Sequence, residues 1–173
     1  MTSAVRSTKT QRYEVERIDV LLQRTFPEAC AALEEQAPKA DVAPFVKMVT
    51  SGWDARRIEL AIQGMVGELG FMILGKLEQG PLVSVLGKPK KMSLYLIGNP
   101  VLANRMYDQR AAVGLYAPLR ALIYEDEKGT CHFTYEKPST VLEQFSDDEI
   151  RAVARLLDQK MEQLATRLEG AAA

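Results

Sequence analysis

One stretch of the sequence decides the fold: residues 145–168, which read FSDDEIRAVARLLDQKMEQLATRL. Its apolar residues recur at the three- and four-residue spacing of a single helix face: Ile150, Val153, Ala154, Leu157, Met161, Leu164, Ala165 and Leu168. This periodicity predicts an amphipathic helix of about six turns. A helix of that length must bury its apolar stripe against a large surface, and a β-sheet is the obvious candidate.

The start of this helix carries two sequence signals. Ser146 and Glu149 have the spacing of a capping box, in which a hydroxyl and a carboxylate satisfy free amides of the first turn. Phe145 and Ile150 have the spacing of a hydrophobic staple across the same turn. We therefore predict that the helix begins within two residues of Ser146.

The rest of the chain alternates between strand and helix patterns. Short β-type runs predict strands at residues 12–20, 71–78, 92–97, 119–125 and 130–136. Helical periodicity predicts helices at residues 25–36 and 54–69, the first of which starts with a capping box of Thr25 and Glu28. Residues 82–86 fit either a short strand or a helical turn.

The last two strands form a hairpin whose register follows from burial. If residue 126 pairs with residue 130, one face is apolar and consists of Leu119, Ala121, Ile123, Cys131, Phe133 and Tyr135. The other face is more polar and consists of Arg120, Leu122, Tyr124, His132, Thr134 and Glu136. A loop longer by one residue would mix the two sets, so burial favours the first pairing. It places Arg120 opposite Glu136 and Tyr124 opposite His132.

Five short motifs carry a resemblance to a known family: GF at 70–71, LIGNP at 96–100, LYAPLR at 115–120, YED at 124–126 and YEKP at 135–138. Together they resemble domain-of-unknown-function family 302, a small bacterial and archaeal domain. The resemblance spans roughly residues 70–168, while residues 37–53 look like an additional segment.

The resemblance implies an α+β fold with a curved antiparallel sheet packed against a long C-terminal helix. The family order is βαβββ(β)α, as in TATA-binding-protein-like domains, here with an extra helical segment near residues 37–69. Members often pair as homodimers, and their biochemical role is not established. One branch has cysteines where this chain has Gly98 and Leu119, so no thiol chemistry is carried over. We expect one domain over residues 11–170 after a flexible tail at 1–10.

Composition excludes several classes of function. The 173 residues suffice for one domain, and 22 Lys and Arg balance 23 Asp and Glu, which lacks the basic excess of a nucleic-acid-binding protein. No apolar run approaches the roughly 18 residues of a membrane helix, and the N-terminus lacks the apolar core of a secretory signal. We therefore expect a cytoplasmic protein with no membrane or nucleic-acid partner.

The two cysteines and the single histidine do not form a metal-binding pattern. Cys30 and Cys131 lie far apart without CxxC spacing, so we expect two buried, unbridged thiols. His132 follows Cys131 directly, and neighbouring residues on a strand point to opposite faces, so the pair is not expected to share a metal. No phosphate-binding loop or dinucleotide-binding motif is present, and we expect no cofactor.

Candidate site residues fall in two places. The polar hairpin face offers His132, Arg120, Tyr124 and Glu136, which are suitable types for acid–base catalysis but equally suit a solvated or dimer-forming surface. Asn99 before Pro100 is a good helix N-cap, and because a free helix N-terminus can bind anions, Asn99 is also an anion-binding candidate.

Three functions are compatible with these observations. The leading one is a homodimeric binding or accessory module that holds a small apolar ligand between the sheet and the long helix. A small enzyme with His132 as general acid or base is the first alternative, and a dimeric structural partner protein is the second. An open, polar-mouthed cavity would favour ligand binding or catalysis, whereas a solid core with a flat apolar outer face would favour the structural partner.

Overall fold

Five strands form one antiparallel sheet in the computed structural model, which describes residues 8–170. The strands are β1 (Arg17–Leu22), β2 (Met72–Leu77), β3 (Met92–Gly98), β4 (Leu119–Glu125) and β5 (Cys131–Glu136). Their order across the sheet is β1-β5-β4-β3-β2, so the first strand of the chain pairs with the last. The sheet is open, with β1 and β2 at its two edges.

Seven α-helices accompany the sheet in the described part of the chain. They are α1 (Phe26–Gln36), α2 (Val42–Thr50), α3 (Ala55–Gln63), α4 (Gln79–Leu86), α5 (Pro100–Tyr107), α6 (Pro138–Leu142) and α7 (Asp148–Glu169). α1, α5 and α6 each contact α7, and α1 and α7 also contact the sheet. The predicted α+β fold, with an antiparallel sheet and a long C-terminal helix, is confirmed, as are helices within the segment near 37–69.

We call the sheet face that α1 and α7 cover the inner face, and the opposite one the outer face. Alternate residues of the central strands are buried on the inner face: Tyr95, Ile97, Ala121, Ile123, Cys131 and Phe133. All eight residues of the predicted α7 stripe are buried as well. The predicted hairpin register is confirmed, with Tyr124 opposite His132 and Asp126 donating its amide to the carbonyl of Thr130.

The start of α7 differs from the prediction by one residue. Asp147 is the N-cap, and its Oδ1 accepts hydrogen bonds from the amides of Glu149 and Ile150 at 3.0 and 3.1 Å. The predicted Ser146–Glu149 capping box is wrong, because Ser146 has the left-handed backbone (φ 50°) and Glu149 binds Arg105 instead. Asp and Ser are equally good N-caps, so the sequence pattern alone could not decide whether Ser146 or Asp147 caps the helix. The predicted start within two residues of Ser146 is confirmed.

Two other predicted boundaries are wrong because contacts between distant segments of the chain decide them. The first strand begins at Arg17 rather than residue 12, because Glu16 bonds to Lys137 and Thr140 just beyond β5. The helix predicted over 54–69 ends at Gln63. A Cβ at Gly67 would come within 2.0 Å of the carbonyl oxygen of Gln36, so this glycine lets the chain pass directly against the end of α1.

One undecided segment is now assigned, one predicted capping box is confirmed, and one prediction lies largely outside the described residues. Residues 82–86 belong to α4, so the helical alternative holds there. The capping box at the start of α1 is present, with Glu28 accepting from both the amide and the hydroxyl of Thr25 at 2.8 Å. The flexible tail expected at 1–10 falls mainly in residues 1–7, which the structure does not describe.

Removing one buried residue of the α7 stripe tests this packing. Leu164 is buried at the centre of the core, so we expect Leu164→Ala to lower the free energy of unfolding by about 2–5 kcal/mol, measured by urea denaturation. Arg155→Ala, at an exposed position of the same helix, is the control and should change it little. Equal effects of the two substitutions would contradict the assigned packing.

Candidate functional site

His132 and Tyr124 lie together on the outer face of the sheet, as the hairpin register predicts. Their rings stack with centroids 4.9 Å apart and planes 14° from parallel. Asp19 of the edge strand β1 joins them: its Oδ2 lies 3.0 Å from His132 Nδ1, and its Oδ1 accepts a hydrogen bond from the Tyr124 hydroxyl at 3.2 Å. Sequence reasoning missed Asp19, because its register against β5 depends on a long-range strand pairing.

The imidazole of His132 is enclosed by groups of the protein itself. Its side chain is 15% exposed, and its Nε2 is buried with no hydrogen-bond partner among residues 8–170. The nearest acid on that side is Asp126 of the hairpin turn, with 3.5 Å between Oδ2 and Nε2. His132 lines none of five clefts found on the described surface. These contacts tie β1 to the hairpin.

Arg120 and Glu136 form the predicted cross-strand ion pair, apart from the His132 cluster. The guanidinium Nη2 lies 2.7 Å from the Glu136 carboxylate, and both side chains are exposed. They border a small cleft of about 190 Å³ that Tyr116 and Leu115 also line. The four predicted catalytic candidates therefore separate into two pairs and do not surround one cleft.

Asn99 is the N-cap of α5, as its sequence context indicates. Its Oδ1 accepts from the amides of Val101 and Leu102 at 2.9 and 3.3 Å, and its Nδ2 donates to the carbonyl of Gly70 at 2.9 Å. These are the first-turn amides that a bound anion would use, and they already have a partner. The amide of Asn99 thus joins α5 to the turn before β2.

An apolar cleft of about 220 Å³ lies where the sheet, α5 and α7 meet. Its apolar wall contains Leu74, Leu102, Ala103, Met106, Pro118, Leu119 and Leu157. The hydroxyl of Tyr107, also in the lining, donates to the carbonyl of Ala117 at 3.2 Å and so joins α5 to the segment before β4. Burial raises the pKa of this tyrosine, which keeps the hydroxyl neutral.

The cleft is built from the two most recognisable motifs of the chain. LIGNP supplies Gly98, Asn99 and Pro100, while LYAPLR supplies Ala117, Pro118 and Leu119. Sequence reasoning explained the first motif as a helix cap and gave the second no role. The sequence does not show that the two motifs are neighbours in space. They become neighbours because β3 and β4 pair, with Ile97 opposite Leu119.

Another polar network joins the partly exposed Glu34 of α1 to the sheet. Tyr95 is fully buried on β3, and its hydroxyl donates to Glu34 Oε1 at 2.9 Å, while Lys76 Nζ lies 2.9 Å from the same oxygen. Burial raises the pKa of Tyr95, and the Lys76 and Tyr95 hydrogen bonds help to hold the pKa of Glu34 below its usual value. The network fastens α1 to β2 and β3 and leaves no free acid or base.

Both cysteines are buried and unbridged, as predicted. Burial raises the pKa of Cys30 and raises that of Cys131 to about 11, so both are thiols at neutral pH. Within residues 8–170, no three His, Cys, Asp or Glu side chains are placed to hold one metal ion. The same residues contain no helix that is both long and apolar enough to cross a membrane.

The open antiparallel sheet, covered on one face by helices and bordered at one end by an apolar cleft, defines an α+β domain. The chain belongs to the family described as "Domain of unknown function DUF302", whose sequence profile matches residues 47–168. The predicted family is thus confirmed. The match begins well before Gly70, so α3 and the end of α2 lie within the family's range.

A solved relative supports the same fold. The chain is similar to the crystal structure of an uncharacterized conserved DUF302 protein from Bacillus stearothermophilus, with a TM-score of 0.63 and 16% sequence identity. The similarity covers 87% of this chain and 96% of that one, and at this identity it shows the fold alone. No curated protein matches the sequence.

The burial of both thiols predicts their reactivity. In the native protein at neutral pH, we expect Cys30 and Cys131 to react slowly with a thiol reagent, because burial raises the pKa of each and restricts access. Both should react rapidly in urea, as counted by mass spectrometry. Rapid labelling of either cysteine in the folded protein would show that it is accessible.

The lowered pKa of Asp126 predicts that the free energy of unfolding depends on pH. Hydrogen bonds to its carboxylate from the amides of Thr130 and Lys128 lower its pKa from the usual 3.8. The ionised form is therefore stabilised by folding, and this contribution is present above the usual pKa and lost as the pH falls through the lowered one. We expect Asp126→Asn to be less stable than the wild type at pH 6, with the difference vanishing toward pH 2 in urea titrations. A difference independent of pH would contradict this assignment.

Proposed function

We propose that this protein is a non-catalytic binding module that holds a small, uncharged, apolar molecule in the cleft between the sheet, α5 and α7. The observation that carries the proposal is the apolar cleft of about 220 Å³ formed by the two family motifs. An apolar cavity of about 150 Å³ in another protein binds benzene, so this cleft suits a molecule of one ring or a short hydrocarbon chain.

The lining also limits the chemistry of the ligand. No charged side chain is among the residues that line the cleft, so a charged ligand would lose its hydration without gaining a partner. The polar groups there are already used within the protein: Asn99 caps α5, Asn104 bonds to Asp108, and Tyr107 bonds to Ala117. Recognition would therefore rest on shape and apolar contact.

The proposal includes a homodimer in the cytoplasm. Two unbridged cysteines support a reducing compartment, where disulfides are rare. Leucines on the outer sheet face support self-association, and they equally favour the second candidate, a dimeric structural partner protein. Catalysis by His132 has weaker support, because the ring contacts Asp19 and Tyr124 and lies outside the cleft.

Filling the cleft tests the proposal. We expect fluorobenzene to bind the wild-type protein saturably in ¹⁹F NMR titrations, and Ala103→Phe to weaken binding at least tenfold, because the new ring occupies the space. Ala103→Leu adds a smaller side chain to the cleft and should weaken fluorobenzene binding to an intermediate degree.

Two controls accompany this test. Ala152→Phe adds the same ring at an exposed position of α7 and should bind like the wild type. His132→Gln should also bind normally, since the imidazole is not part of the cleft. An absence of saturable binding to the wild type, or full binding by a correctly folded Ala103→Phe protein, would refute the proposal.

A further inference from the structure

The outer face of the sheet carries a row of leucines where water-facing residues are expected. Leu77, Leu94 and Leu122 are direct cross-strand neighbours on β2, β3 and β4. Leu96 adds a further apolar side chain to the same face of β3. An antiparallel sheet that faces solvent normally alternates apolar and polar residues, with the polar ones outside. Apolar side chains on three adjacent strands are therefore at least partly exposed on the outer face: Leu77 is 50% exposed, and Leu94 and Leu122 are half-buried.

α4 extends the apolar surface beyond the sheet. This helix connects β2 to β3 and packs against β3, the strand that carries Leu94. Three of its side chains are largely exposed: Leu82 at 68%, Val85 at 85% and Leu86 at 82%. Single exposed leucines are ordinary, but contiguous exposed apolar residues mark an interaction surface. We call these three residues, together with Leu77, Leu94 and Leu122, the leucine face.

The charges beside the leucine face indicate which partner it suits. Lys88, Lys90 and Lys91 follow α4 and share an open cleft with the acidic run 125–127. Among the described residues, Lys91 pairs with Glu125 at 2.8 Å, and Lys88 and Lys90 make no ion pair. Three basic and three acidic residues thus lie side by side at one edge of the surface.

Such a surface is complementary to itself. A two-fold axis brings the same patch of two copies together, so apolar residues must meet apolar ones and bases must meet acids. The leucine face satisfies the first condition, and the adjacent opposite charges satisfy the second. An anionic membrane would attract the lysines but repel the acidic run, so the charges favour a second copy over a lipid surface.

We propose that the leucine face binds the leucine face of a second copy of this chain. The inference rests on the proposed homodimer and names the surface that forms it. Two sheet faces can pack about 10 Å apart with their side chains interdigitated, which suits a flat row of leucines. None of the six residues lines the apolar cleft, so the dimer surface and the ligand site are separate.

Sedimentation velocity tests the proposal. We expect the wild-type protein to be a dimer at micromolar concentration and Val85→Glu to dimerise at least tenfold more weakly. Val85 is largely exposed in the single chain, so this substitution should leave the fold intact, as checked by circular dichroism. Leu60→Glu, at an exposed leucine of α3 outside the leucine face, is the matched control and should remain dimeric.

Three results would overturn the proposal: a monomeric wild type, a Val85→Glu protein as dimeric as the wild type, or dissociation by Leu60→Glu. Binding of a monomeric wild type to phosphatidylserine vesicles, lost in Val85→Glu, would identify a lipid partner and also overturn it. Fluorobenzene titration of the same variants separates this inference from the proposed function. Dissociation without loss of fluorobenzene binding supports both, whereas dissociation of a protein that never binds fluorobenzene refutes only the ligand proposal.

Discussion

Burial of the α7 stripe against the inner face of the sheet constrains the rest of the molecule. Eight residues of this helix are buried, and each central strand must turn its apolar alternate residues toward them. Because strand side chains alternate, this choice also decides which residues lie on the outer face. The stacked pair of His132 and Tyr124, the Arg120–Glu136 ion pair and the leucine face all owe their position to that one packing contact.

The apolar cleft is a consequence of the same arrangement. α5 starts directly after β3 and crosses toward α7, and Asn99 fixes that start by bonding both to the helix and to Gly70. Gly98 lies next to it, and a Cβ there would be in ordinary contact, at 3.5 Å, with Leu74 and Pro118, which line the cleft. Residues that shape the turn into α5 therefore also shape the cleft, which gives the LIGNP motif two roles.

Periodicity and local chemistry made much of this fold predictable. The α7 stripe and the hairpin register follow from local patterns, and so do the placement of Tyr124 opposite His132 and the burial of both cysteines. The errors arose where a contact between distant segments decides the outcome. The helix predicted over 54–69 stops at Gln63, before Gly67 passes directly against Gln36, and Asp19 reaches His132 only after β1 pairs with β5. The residues that line the cleft were missed for the same reason, since its two motifs meet only in the folded chain.

We propose, in short, a dimeric binding module for a small apolar molecule. Native mass spectrometry of the protein purified from its own host tests it most directly, because one spectrum reports both the assembly and any bound molecule. We expect the mass of two chains together with an uncharged small molecule that is released on unfolding. A single chain with no bound mass would contradict it.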